Sequence, residues 1–219
     1  MRFVLFTLVI IAWNVQANSS KSFLVGYLDH PHIVEYYLPI IEQAYSDIGQ
    51  DIELIAVGSK RGMTMLNQGL IDADATRFES TAAQFKNVMI VPPPLVEAYF
   101  DLYCVQQTVC DSSVLNDPEQ TLATYYGQLD VIHARYPEIK AELFTLDSMS
   151  QVQRLLMQGR LSYALLPSDA LTRQEYPEFS YYTVGRESTY HVIHKKHAHL
   201  VDALSKALAQ RIEQARASQ

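Results

Sequence analysis

One pattern occurs twice in this chain, and it restricts the fold more than any other feature. Residues 63–77 read Met-Thr-Met-Leu-Asn-Gln-Gly-Leu-Ile-Asp-Ala-Asp-Ala-Thr-Arg, and residues 152–168 read Val-Gln-Arg-Leu-Leu-Met-Gln-Gly-Arg-Leu-Ser-Tyr-Ala-Leu-Leu-Pro-Ser. Each starts as a helix, reaches a Gln-Gly pair ending in Gly69 or Gly159, and continues as an apolar run. The glycine falls where a helix C-terminus needs left-handed backbone, and the run after it suits a strand buried on both faces. Two similar α/β units predict two similar lobes with a cleft between them. Open α/β sheets bind ligands at the carboxyl ends of their strands, which places Thr76, Arg77, Pro167 and Ser168 at that cleft.

The first 17 residues have the grammar of a cleavable secretory signal: Arg2, an apolar run to Trp13, and Val15-Gln16-Ala17 before Asn18. The run is too short to span a bilayer. Removing 17 of 219 residues leaves 202 and takes away one positive charge, moving the formal net charge from −7 to −8. An acidic chain without a basic cluster excludes nucleic acid as partner. The expectation is a monomer in the periplasm. In such an oxidising compartment Cys104 and Cys110, the two cysteines of the chain, are expected to be bridged across a tight loop.

Taken in order, the chain alternates strand and helix as a parallel sheet with right-handed crossovers requires. A strand over 23–28 precedes a helix over 33–48 with Ile33, Tyr37, Ile40, Ile41, Ala44 and Ile48 on one stripe. A strand over 52–57 leads through Gly58 and a capping Ser59 to a helix over 60–67. After Arg77 a short helix over 80–86 is followed by a strand over 88–91. Pro92, Pro93 and Pro94 cannot sit in a central strand, so they read as a stiff lead-in to a segment crossing into the second lobe. The second lobe repeats the pattern: strands over 121–126, 142–146 and 161–166, helices over 129–136 and 150–159. Segments 181–184 and 190–193 return to the first sheet, and a terminal helix over 200–215 packs on it. The predicted fold is α/β: two lobes, each a mostly parallel sheet flanked by helices, joined by two crossing segments. Lobe 1 comprises 19–97 and 186–219, and lobe 2 comprises 98–185.

This order of elements resembles the periplasmic solute-binding proteins of the type II fold, specifically the small family 3 class that includes amino-acid-binding components of ABC importers. The resemblance is carried by Gly69-Leu70-Ile71-Asp72-Ala73, by its weaker echo Gly159-Arg160-Leu161-Ser162-Tyr163, and by residues 194–201 leading into the terminal helix. It implies a receptor that closes two lobes on a small-molecule ligand. Two departures bear on which ligand. The family's carboxylate-binding arginine has no counterpart in residues 80–85, Ser-Thr-Ala-Ala-Gln-Phe. Its ammonium-binding aspartate is replaced by Leu166-Pro167-Ser168, with Asp169 shifted along the chain.

Arg77 is the leading site candidate, since a guanidinium at a strand's carboxyl end can grip a carboxylate with two parallel hydrogen bonds; the competing reading is an ion pair with Asp72, Asp74 or Glu79. Ser59 and Arg61 open a helix whose free N–H groups favour an anion. Tyr27 and the loop Asp29-His30-Pro31-His32 border the cleft from lobe 1, as do Tyr125, Tyr126, Ser148 and Ser168 from lobe 2, with Tyr27, His30, Tyr126, Ser148 and Ser168 as the ligand-binding candidates. Among His30, His32, His191, His194, His197 and His199, the last four are spaced 3, 3 and 2 apart; this spacing does not converge on a metal and reads as a solvated polar edge. No cofactor, metal or catalytic motif is expected. The predicted function is capture of a small polar or anionic solute for presentation to an ABC permease. The alternatives are sensing through a membrane signalling protein and, with Glu97, Asp169 or Glu187 as general acid, a small-acid dehydratase.

Overall fold

The computed structural model describes residues 22–217, so the predicted signal segment lies outside the described residues. The first half of the chain alternates as its sequence suggests: β1 (Phe23–Tyr27), α1 (Leu38–Asp47), β2 (Ile52–Ala56), α2 (Ser59–Asn67), β3 (Ala73–Phe78) and the short α3 (Glu79–Ala82). A π-helical stretch, Ile33–Tyr37, runs directly into α1. Strand β4 (Val88–Cys104) leads into the second half, with α4 (Ser112–Asn116), β5 (Thr121–Tyr125), α5 (Tyr126–Arg135), β6 (Glu142–Leu146), α6 (Met149–Met157), β7 (Tyr163–Ser168) and α7 (Ala170–Glu175). Strand β8 (Ser180–His194) returns to the first half, and a 3-10 stretch leads to α8 (Val201–Ala217).

All eight strands form one hydrogen-bonded sheet in the order β2-β1-β3-β8-β4-β7-β5-β6, where the sequence reading expects two sheets. The reason is the length of β4 and β8. They pair antiparallel along most of their course, and each also serves one half of the sheet. β8 takes β3 as its other neighbour from Thr189 to Ile193, while β4 takes β7 from Tyr99 to Cys104. Between these ladders, Glu97 and Ala98 pair with Ser188 and Glu187 alone, so the sheet narrows to a two-stranded waist.

Each half is covered on both faces. In the first, Val25, Ala73, Ala75 and Ile193 face α1 and α8, while Met63, Leu66, Ile71 and Val192 form a separate cluster with α2. In the second, Leu102, Leu122 and Leu165 belong to one cluster and Tyr103, Ala123, Ala164 and Leu166 to another. Neighbours along a strand thus enter opposite clusters, as the strand period of two demands. Among the described residues no cluster mixes the two halves.

Several local expectations change. Pro92, Pro93 and Pro94 lie inside β4, yet the β4–β8 register breaks between Val91 and Val96, and this part of β4 is an edge strand without β7 beside it. A missing N–H is tolerated there. Gly58 holds the cap position of α2, so Ser59 is its first helical residue and not its cap. Helices α4 and α7 went unforeseen; both start at an aspartate, Asp111 and Asp169, whose side chain accepts a backbone N–H. His191 is not on a solvated edge: it is fully buried, joins the Tyr45 hydroxyl at 2.8 Å, and burial pushes its pKa down to about 4. His197 joins Asp72 at 2.7 Å. The Cys104–Cys110 disulfide is present.

Gly69 and Gly159 have φ of +72° and +65°, the left-handed caps that the repeated pattern requires. A Cβ at Gly159 would meet nothing within 4 Å, so only backbone conformation is at stake. Gly159→Ala is expected to lower stability by about 1 kcal/mol, read from urea melts at unchanged m-value.

Candidate functional site

The strand ends converge as a doubly flanked parallel sheet predicts. Leu28 and His30 follow β1, Gly58 and Ser59 follow β2, and Thr76, Arg77 and Phe78 close β3. From the other half come Tyr125 at the end of β5, Asp147 after β6, and Pro167 and Ser168 at the end of β7. Together these residues line a cavity of about 420 Å³, within the range of small-molecule sites, with Val96, Ala98 and Thr189 of the crossing strands as its floor.

On the first side the dominant charge is Arg77, only 4 % exposed. Its Nη2 donates to Asp74 Oδ2 at 2.6 Å and its Nη1 to the Thr76 carbonyl at 3.2 Å, while its Nε has no protein partner among the described residues. Burial pushes the Asp74 carboxyl up to about 6, against the pull of the guanidinium. Two glycines make room for the pair. A Cβ on Gly62 of α2 would lie 2.8 Å from Arg77 Nη2 and 2.9 Å from Asp74 Oδ2, and one on Gly26 would lie 3.2 Å from Asp74 Oδ2.

On the second side Asp169 is the hub. It caps α7 through the Thr172 N–H at 2.8 Å and accepts from the Thr172 hydroxyl at 2.8 Å and from the Tyr37 hydroxyl at 2.8 Å. His32 lies 3.4 Å away. Burial alone would raise the Asp169 pKa; the hydrogen bonds from His32, Thr172 and Tyr37 outweigh it and hold the carboxyl far below its ordinary range. His32 is raised to about 9 by Asp169, against burial, with Glu175 at 3.0 Å adding to the shift. Behind Ser168, which donates to Asp101, Arg173 grips the same carboxylate from Nη2 at 2.7 Å and stacks 4.0 Å over the Tyr99 ring.

No family model and no curated protein matches the sequence. Solved structures do match in fold. The GluR0 ligand-binding core in complex with L-glutamate superposes with a TM-score of 0.71 at 13 % identity, covering 90 % of this chain and 94 % of that one. The arginine-bound form of ArgBP from T. maritima gives 0.65 at 17 %, covering 86 % and 95 %. AncCDT-1, an ancestral amino acid-binding protein and precursor of cyclohexadienyl dehydratase, gives 0.67 at 15 %, covering 90 % and 94 %. The chain has the two-lobed, type II periplasmic-binding-protein fold. At these identities the likeness is one of architecture.

Within this type II fold, four of the eight residues expected to touch a ligand line the cavity: Ser59, Arg77, His30 and Ser168. Arg77 is there as the ion-pair reading has it, bound to Asp74. The other four do not line it. Tyr27 packs against the first core, with Leu28 beside the cavity instead. Arg61 is exposed on α2. Tyr126 is 64 % exposed, whereas Tyr125 faces inward and accepts from Gln128 Nε2 at 2.8 Å. Ser148 caps α6, and the preceding Asp147 lines the wall. Tyr126 and Ser148 each lie one residue from a lining residue, where a strand gives way to a helix.

His32 lines the cavity as part of the loop expected there, while Tyr37, Thr172 and Gln128 are lining residues that the sequence pattern does not single out. The spacing of Asp169 and Thr172, a helix-capping pattern, was the available signal. Of the acid candidates, Glu97 pairs with Arg186, and Glu187 pairs with Arg135 and the Ser80 N–H; Asp169 alone lines the cavity.

Removing Arg77 would strand a buried carboxylate. Arg77→Leu is expected to cost about 3 kcal/mol of stability, and Asp74→Asn in the same chain to recover part of that loss. Chemical denaturation of the single and double variants measures the coupling.

Proposed function

We propose that this protein is a solute-binding protein that encloses a small polar molecule between its two lobes and, after export to the periplasm, presents it to a membrane importer. The observation that carries this reading is the cavity itself: it lies at the carboxyl ends of both parallel strand sets and draws its lining from both lobes. With lobe 1 as residues 19–97 and 186–219 and lobe 2 as 98–185, the two-stranded waist at Glu97–Ala98 and Glu187–Ser188 is the natural hinge. A solute touching both walls has contacts only in the closed form, and that difference drives closure.

The charge arrangement narrows the solute class. The buried cation Arg77 is matched by Asp74, and His32 by Asp169 and Glu175. A bare anion therefore finds no unpaired buried cation among the described residues. A molecule without excess charge finds the hydroxyls of Ser59 and Thr81, the amide of Gln128, and the unused donors of Arg77. Asp169, the general-acid candidate that lines the cavity, is held ionised, the wrong state for delivering a proton at neutral pH.

A thermal-shift screen of the mature protein against amino acids, small carboxylates, polyamines and sugars tests the reading. A solute at about 100 times its Kd adds about 2.7 kcal/mol and raises the melting temperature by several degrees. Uncharged or zwitterionic polar compounds are expected to produce the shift, and Thr81→Trp, which fills the cavity from α3, to abolish it. A flat response to every class would end the solute-binding assignment.

A further inference from the structure

One edge of the cavity is closed by the protein's own side chains, reaching from the segment after β1 to α7. Tyr37 donates across the gap to Asp169 Oδ2 at 2.8 Å. His32, 7 % exposed, uses both ring nitrogens: Nε2 meets Glu175 Oε2 at 3.0 Å, and Nδ1 meets the Thr172 hydroxyl at 3.2 Å and Asp169 Oδ1 at 3.4 Å. A little further along, His30 Nε2 approaches Met149 Sδ on α6 at 3.4 Å. The partners lie 119 to 143 residues apart in the chain, and they join elements whose hydrophobic clusters are otherwise separate.

We propose that His32 and Tyr37 clasp α7 and hold the two lobes together while His32 carries its proton, so that proton concentration governs how readily the cavity opens. This deepens the solute-binding reading, because opening is the step that admits and releases a solute. The geometry suits the charged ring. Only an imidazolium donates from both nitrogens at once, and here one N–H is met by a carboxylate and the other by a hydroxyl that itself donates to a carboxylate at 2.8 Å. A neutral ring loses one of those donors and its charge, leaving Asp169 and Glu175 uncompensated on α7.

Among the described residues the groups facing His32 are few. From its own segment come the rings of His30 and Tyr36, each 5.6 Å away edge-on; from α7 come Asp169, Thr172 and Glu175. His30 is pushed down by burial and by the neighbouring charge of His32. The His32 pKa is raised to about 9 in the clasped state, against an ordinary 6.5. The stabilisation from His32 is therefore complete below its ordinary pKa and disappears as pH rises through about 9. Asp169, lowered, contributes above its ordinary 3.8 and fails only in strong acid. The clasp is strongest from about pH 4 to 6.5.

The test is a spin-label distance measurement across the cleft on the full mature chain carrying Arg61→Cys and Ser150→Cys, at exposed positions on α2 and α6; among the described residues no native cysteine is free to compete. At pH 6 a single short distance is expected. At pH 10 a longer distance should appear, with the ratio of open to closed forms raised at least tenfold. His32→Gln, which cannot be protonated, should show the longer distance at both values and no response to pH. Circular dichroism checks that it folds. Glu175→Gln, at a half-exposed position, should fold in any case and move the opening midpoint to lower pH. A wild-type distance that does not move between pH 6 and 10, a His32→Gln variant that keeps the wild-type response, or an unmoved midpoint in Glu175→Gln would each overturn the clasp. No solute is added, so this outcome is independent of the thermal-shift screen.

Discussion

The antiparallel pairing of β4 with β8 is the constraint from which the rest of the structure follows. Each strand is long enough to run through both halves of the sheet, yet their outer partners are offset: β3 joins β8 at one end and β7 joins β4 at the other. The offset leaves a waist where two strands have only each other. A two-stranded ribbon twists more than a wide sheet, and the proposed closure would concentrate its bending there. The same offset opens the gap above the waist, since neither β3 nor β7 continues across it. Cavity and flexure are consequences of one arrangement of hydrogen bonds.

Much of this was legible in the sequence because it rests on local rules. The Gln68-Gly69 and Gln158-Gly159 pairs announced helix ends, and both glycines adopt the left-handed backbone their positions required. The apolar stretches after them are the buried strands β3 and β7. What escaped was set by contacts distant in sequence. Nothing near Pro92 reveals that β4 is an edge strand along its first part, which is why the prolines looked incompatible with a strand. Nothing near His191 announces that Tyr45, 146 residues away, supplies a buried partner. At the site, a single residue of offset matters most. Of the neighbouring Tyr125 and Tyr126, both expected at the cleft, the first lines the cavity and the second faces solvent.

Arg77 shows how a correct location can carry a different role. Its place at the end of β3 follows from the repeated pattern, and it does border the cavity. The sequence could not decide whether its charge was spent inside the protein, because Asp74, three residues away, is the residue that would normally point to the other face. The register shift between Asp74 and Arg77 in the β3–β8 ladder brings the two together. Gly26 and Gly62 then leave space for them beneath α2. A local irregularity and two absent side chains turn a candidate anion clamp into a buried pair.

The two sides of the cavity therefore solve the same electrostatic problem in different ways. On the first, the compensating charges come from one strand, so the proposed opening would leave the Arg77–Asp74 pair intact. On the second, Asp169 is compensated by a residue from the opposite side of the gap, which the proposed opening would separate from it. A buried carboxylate that loses its partner is costly, but one that re-enters water is not. In the proposed opening Asp169 would keep its bonds to Thr172, which lies on the same helix, and gain solvent in place of His32 and Tyr37. The compensation that spans the gap is the one that can be exchanged for water, and it is also the one that a proton can switch.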